Sequence, residues 1–201
     1  KPLLIGQWFF YSALPVMTFL VITEGLSKGV SAFPLIWILP LFSYLLSFVV
    51  AFRVSIKPML SVLVFACLLL ITGIATNIFE LAFMVNVMYS NLLVFIVGLI
   101  CHGYLYQKRP KNLKWLASFY LLISLGGALG GIFISLVAPI IFNNNYEFYL
   151  ILFLILLVCA RCIFTQKASE NLFNSGRKLF SDKNLNKIGM VFVGVNLVLI
   201  L

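Results

Sequence analysis

Acidic charge is almost missing from this chain. It has five Asp and Glu in 201 residues, a single histidine, and charged side chains at 9% of positions. A soluble domain carries charge at roughly a quarter of its positions. A polar shell this thin cannot cover a 63% hydrophobic content, so a water-soluble globule is excluded. Paired-carboxylate catalysis is excluded as well. Glu24, Glu80 and Glu147 fall at the ends of apolar segments, and Glu170 and Asp182 lie in a polar stretch. None sits at the middle of a span, where a proton-coupled transporter of the usual kind keeps an acidic group.

Cysteine is scarce too. Cys67, Cys101, Cys159 and Cys162 lie inside or at the ends of apolar segments and outline no disulfide framework. Cys159-Ala-Arg-Cys162 matches a CxxC string. It has neither a βαβ setting nor a second ligand pair, so it reads as two small apolar residues on one helix face. No metal site is expected, because His102 beside Cys101 supplies too few ligands. No cofactor is expected either. The chain shows no signal-peptide cleavage pattern, low-complexity tract or soluble domain.

What the chain does have is long apolar runs and a mean hydropathy of +1.15. Lipid is then the solvent, and spans must be helices or closed barrels because backbone groups cannot go unpaired in hydrocarbon. Unbroken runs of about 20 residues suit helices rather than the short alternating strands of a barrel. The expected fold is an all-α polytopic transmembrane bundle of seven segments: 3–22, 34–52, 58–76, 81–106, 115–142, 148–165 and 188–201. All belong to one integral-membrane domain, joined near its end by a polar connector at 166–187. Pro34 and Pro58 open two segments at a first-turn position, where the missing N–H costs nothing. The fifth segment exceeds the ~30 Å hydrocarbon core and must tilt, protrude or break near Pro139. The seventh is short for a span. With Lys at position 1, this predicts a piece of a longer protein.

The net charge of +9 points to topology rather than nucleic acid, because the basic residues lie between apolar runs. If the segments alternate, thirteen of the fourteen Lys and Arg fall on one side, and Lys28 alone on the other. The positive-inside rule makes that side, and the N-terminus, cytoplasmic. A multi-pass protein of a bacterial inner membrane is expected, ahead of an organellar one. Leu172, Phe173, Leu179, Phe180 and Leu185 in the basic connector fit either an amphipathic helix on headgroups or a solvated loop.

Few residues offer chemistry. His102, near the end of segment four, is ionisable and placed close to the headgroup zone, with a packing role weighed against a proton or substrate role. Arg109, in the turn Lys108-Arg109-Pro110-Lys111, would meet lipid phosphate or an acidic partner, or only set topology. Gln7, Tyr11, Tyr44, Asn86 and Asn91 are uncharged polar groups within spans. They would line a cavity for a polar solute or hydrogen-bond neighbouring helices. Gly126, Gly127, Gly130 and Gly131 make two overlapping GxxxG pairs, and Ser124 and Ser135 extend a small-residue stripe through Gly127 and Gly131. This is a helix-packing signal.

Three stretches carry a family resemblance. They are Phe33-Pro34-Leu35-Ile36-Trp37-Ile38-Leu39-Pro40-Leu41 with Tyr44 to Phe48, Cys101-His102-Gly103 with Arg109-Pro110, and Phe119-Tyr120-Leu121 with Ser124 to Gly131, Ala138-Pro139 and Glu147. In this order they resemble the membrane region of bacterial spermidine-synthase-like membrane proteins, fusions of a major-facilitator-like region with an aminopropyltransferase-like domain. The resemblance covers about residues 8 to 160. It implies a membrane region that anchors a cytoplasmic domain or handles a small metabolite. The Gly-rich nucleotide loop of the soluble domain has no counterpart here, so no catalytic residue is carried over. Two other readings stand beside it: a non-catalytic subunit of a larger membrane complex, and half of a major-facilitator-like transporter. The expected partners are the lipid bilayer and either other membrane subunits or a cytoplasmic domain of the same protein.

Overall fold

The structure is a computed structural model, and the residues it describes are 2–28, 37–75, 83–142, 146–173, 190–191 and 193–198. Every element among them is helical. The long helices are α1 (Pro2–Lys28), α2 (Ile38–Arg53), α3 (Leu60–Ala75), α4 (Phe83–Gln107), α5 (Leu113–Ile132) and α7 (Tyr146–Phe173), with a four-residue α6 (Ala138–Ile141) continuing α5. A single 3₁₀ turn, Lys57–Met59, leads into α3. Five helical stretches are long and apolar enough to cross a membrane: Leu4–Ser27, Lys57–Ile74, Met84–Gln107, Leu113–Ile141 and Tyr146–Thr165. The sixth, α2, has 16 residues, or about 24 Å at ~1.5 Å per residue, short of a ~30 Å core. Pro34 lies outside the described residues.

The last three segments add detail to the sequence expectation, and one of them departs from it. The sixth helix does not stop at 165. It continues as α7 through Phe173 into the predicted connector, because no Gly or Pro interrupts the chain before Gly176. The rest of the connector lies outside the described residues. The fifth segment is not one regular helix. A π turn at Phe133–Val137 separates α5 from α6, with Ala138 N–H donating to the Phe133 carbonyl. The cause is Pro139, whose ring would clash with the Ser135 carbonyl four residues back in a regular helix. The seventh segment is helical at 190–191 and 193–198 and docks on α3. Buried Asn196 donates from Nδ2 to Thr72 Oγ1 at 2.8 Å. That leaves the Thr72 hydroxyl proton for the Leu68 carbonyl, 2.7 Å away.

The hub of the bundle is α1. It packs against α5 along one side, α4 along another, and meets α7 and α2. Helix α4 carries α2 and α3, and α3 reaches α7. Leu14, Leu68, Ile71, Leu93, Leu152 and Ile155, all fully buried, form the shared core of α1, α3, α4 and α7. Hydroxyls on α1 fold back onto their own helix: Ser12 donates to the Phe9 carbonyl and Thr18 to the Leu14 carbonyl, both at 2.8 Å. This satisfies polar groups where no water is present.

Successive long helices reverse direction. Gln7, near the start of α1, bonds Tyr104, near the end of α4. At the opposite end, Leu26 of α1, Ile74 of α3, Asn86 of α4 and Phe148 of α7 line a common cleft. The turn from α4 to α5 is closed by Asn112, whose Oδ1 accepts from the Lys114 N–H at 3.0 Å, an N-cap that starts α5.

Candidate functional site

The end of the bundle that gathers the starts of α1 and α3 and the ends of α4 and α7 holds two adjoining spaces. The inner one is a pocket of about 470 Å³, lined among others by Tyr11, Lys57, Tyr104, Lys108, Arg161 and Thr165. The outer one is an open groove of about 1150 Å³ between α1 and α7, lined by Gln7, Phe10, Leu157, Val158 and Phe164. Tyr11, Arg161 and Thr165 line both. The wall between them is ordered by a short chain of contacts. Tyr104 Oη donates to Gln7 Oε1 at 2.8 Å, and the Tyr104 ring stacks on Tyr11 with centroids 4.1 Å apart and planes 20° apart. Lys108 Nζ lies 5.9 Å from the Tyr104 ring centroid.

The inner pocket is cationic. Lys57, Lys108 and Arg161 line it, and among the described residues no carboxylate does. Lys57 and Lys108 stand at helix ends, where basic charge is ordinary. Arg161 does not. It lies within the spanning stretch Tyr146–Thr165, and a charged side chain in a span marks function by default. Sequence reasoning counted Arg161 as topological charge; the structure places it, exposed, on the lining that both spaces share. The available signal was its place inside an apolar run, four residues before Thr165.

The predicted polar residues do not share one cavity. Gln7 and Tyr11 border the basic-end spaces. Asn86 lines the separate cleft at the other end. Asn91 is buried and donates from Nδ2 to the Val87 carbonyl at 2.7 Å, with Ser43 Oγ 3.4 Å from its Oδ1. Tyr44 stacks on Phe19 and sits edge-on to His102.

His102 lies inside the bundle rather than on its surface. It is 2% exposed, its Nδ1 3.1 Å from Ser47 Oγ, with Tyr44 and Phe48 edge-on to the imidazole at 5.5 and 5.0 Å. The Ser47 hydroxyl is also 2.6 Å from the Tyr44 carbonyl. Gly98 makes this possible, since a Cβ there would collide with Ser47. The cluster ties α2 to α4. Arg109 is exposed, its guanidinium 4.2 Å from the Tyr106 ring centroid.

The glycines face α1 of the same chain. Gly126 and Gly130 are buried, and Ile134 and Ala138 continue their line. A Cβ on Gly126 would come within 2.8 Å of the Phe9 carbonyl oxygen, and one on Gly130 within 2.9 Å of the Ala13 carbonyl oxygen. Gly127 and Gly131 are half-buried beside Val16, while Ser124 and Ser135 are exposed. The predicted stripe through Ser124, Gly127, Gly131 and Ser135 is therefore flanking; the seam runs one residue earlier.

The four cysteines converge from α3, α4 and α7, all buried and free. Cys159 is hydrogen-bonded to Cys67, and Cys101 lies close enough to Cys159 and Cys162 to interact electrostatically. Among the described residues, no group of three or more His, Cys, Asp or Glu is arranged to hold a metal ion. Comparison with protein-family models, curated proteins and solved structures finds no match to this chain.

Proposed function

We propose that this chain is the membrane-embedded region of a spermidine-synthase-like membrane protein of a bacterial inner membrane. In this reading it carries no reaction centre of its own and handles a small metabolite at its basic, cytoplasmic end. The observation that carries the metabolite role is the cleft beside Arg161: a charged side chain within an apolar helix, opening on space between α1 and α7. A pure anchor has no use for such a space, since filling it with side chains would gain dispersion contacts. The three motif stretches support the family, and the position of Lys57, Lys108 and Arg161 at one end supports the orientation.

The test is cysteine accessibility. Single cysteines at Gly6, Leu157 and Thr165, in a chain with Cys67, Cys101, Cys159 and Cys162 replaced by alanine, should react with a membrane-impermeant maleimide from the cytoplasmic face. Uniform protection of all three overturns the solute cleft.

The accessory-subunit reading has one observation of its own. Helix α5 leans chiefly on α1, leaving Leu121, Leu125, Leu129 and Ile132 exposed along its outer side. The half-transporter reading has no shared cavity behind it, because Asn86 and Gln7 open at opposite ends.

A further inference from the structure

The basic-end cleft has two chemically different compartments in continuity. The inner pocket presents three cations, Lys57, Lys108 and Arg161, beside Tyr11, and among the described residues no carboxylate lines it. An unbalanced cluster of this kind at the edge of a low-dielectric region favours an anion. Guanidinium and ammonium donors are the usual partners of a phosphate. The outer groove is mostly apolar and open along its length, between Phe10 on α1 and Leu157, Val158 and Phe164 on α7. An apolar groove of this kind suits a hydrocarbon chain.

Arg161 joins the compartments. It belongs to the lining of both, with Tyr11 and Thr165. A small hydrophilic anion would use the pocket and leave the groove empty. A neutral hydrocarbon would use the groove and leave three cations without a partner anion. One ligand class uses both.

We infer that the cleft binds an anionic amphiphile, its phosphate-bearing head in the pocket of Lys57, Lys108 and Arg161 and its hydrocarbon chain in the groove between α1 and α7. This rests on reading the cleft as a ligand site, and it is independent of the family resemblance. The phosphate could be supplied by a lipid headgroup or by a free phosphorylated solute, and the two sources make different demands on the groove.

The experiment measures ligand-dependent thermal stabilisation of the full 201-residue chain in detergent, with three probes: phosphatidic acid, phosphatidylcholine of the same chains, and inorganic phosphate. Phosphatidic acid should raise the melting temperature saturably, and phosphatidylcholine and inorganic phosphate should need at least tenfold higher concentration for the same shift. Arg161→Gln should weaken the apparent affinity for phosphatidic acid at least tenfold, with Arg161→Lys recovering part of it. Lys108→Gln, at an exposed position, serves if Arg161→Gln does not fold, and should weaken it severalfold. Leu157→Trp, which narrows the groove, should weaken phosphatidic acid and leave inorganic phosphate unchanged. Equal stabilisation by phosphatidylcholine overturns the anion pocket. Equal potency of inorganic phosphate overturns the role of the groove. Maleimide labelling of the cleft with no response to any probe overturns the amphiphile but leaves the solute-cleft reading standing, whereas absence of labelling removes both.

Discussion

Replacing Gly130 with alanine adds one methyl group at the closest approach of α1 and α5. The nearest atoms to the new Cβ would all belong to Ala13: its carbonyl oxygen at 2.9 Å, and its Cα and Cβ at 3.1 Å. None of these atoms can rotate away, since two belong to the backbone and the third is fixed to it. Restoring an ordinary contact near 3.4 Å requires the helices to part by about 0.5 Å, enough to forfeit about a quarter of the dispersion at each contact. If on the order of 50 atom pairs at ~0.1 kcal/mol loosen by that fraction, the loss is about 1 kcal/mol, within the ~1–3 kcal/mol range of overpacked cores. Gly131→Ala is the control. Its Cβ would find only Leu20 Cδ1 at 3.8 Å and Val16 Cγ1 at 3.9 Å, and a helical alanine is favoured over glycine by up to about 1 kcal/mol. Both substitutions gain that helical preference, so reversible unfolding in mixed micelles, followed by tryptophan fluorescence, should show Gly130→Ala less stable than Gly131→Ala by about 1–3 kcal/mol. The reverse order, or equal effects, would refute the assignment of the seam.

Two further perturbations test the packing. In a double-mutant cycle of Thr72→Val and Asn196→Leu, coupling of about 0.6 kcal/mol, with a ceiling near 1.7, is expected for an interhelical hydrogen bond in lipid; zero coupling would mean that the last helical stretch does not dock on α3. Trp8 Nε1 is buried with no hydrogen-bond partner, while its ring sits edge-on to Phe119 at 5.0 Å. Trp8→Phe removes the orphaned donor and keeps a ring there, so unfolding should shift by less than about 1 kcal/mol; a loss near 3 kcal/mol, the scale of deleting a buried aromatic outright, would show that the nitrogen is satisfied.

The apolar runs announced α3, α4 and α7 because hydrocarbon leaves the backbone little alternative to a helix. Pro139 announced a disturbance in the fifth segment; that it takes the form of a π turn depends on how α5 must stay seated on α1, which no local pattern encodes. The double glycine pairs gave two equally spaced faces, 126/130 and 127/131. The choice between them was made by Ser12 and Ala13 on α1, more than a hundred residues away. The burial of His102 was illegible for the same reason, since Ser47 is 55 positions distant. Arg161 was visible all along. Its place beside two cavities was not, because that depends on how α1, α3 and α4 pack around α7.

The bundle's central helix precedes in the chain every described helix that covers it. When α1 emerges, Gln7 has no Tyr104, Tyr11 no stacking ring, and the Phe9 and Ala13 backbone faces no glycine seam. More than ninety residues must follow before the first of these neighbours exists. The nascent chain therefore parks its most polar span in provisional company, and final assembly is a late closing step around an early core.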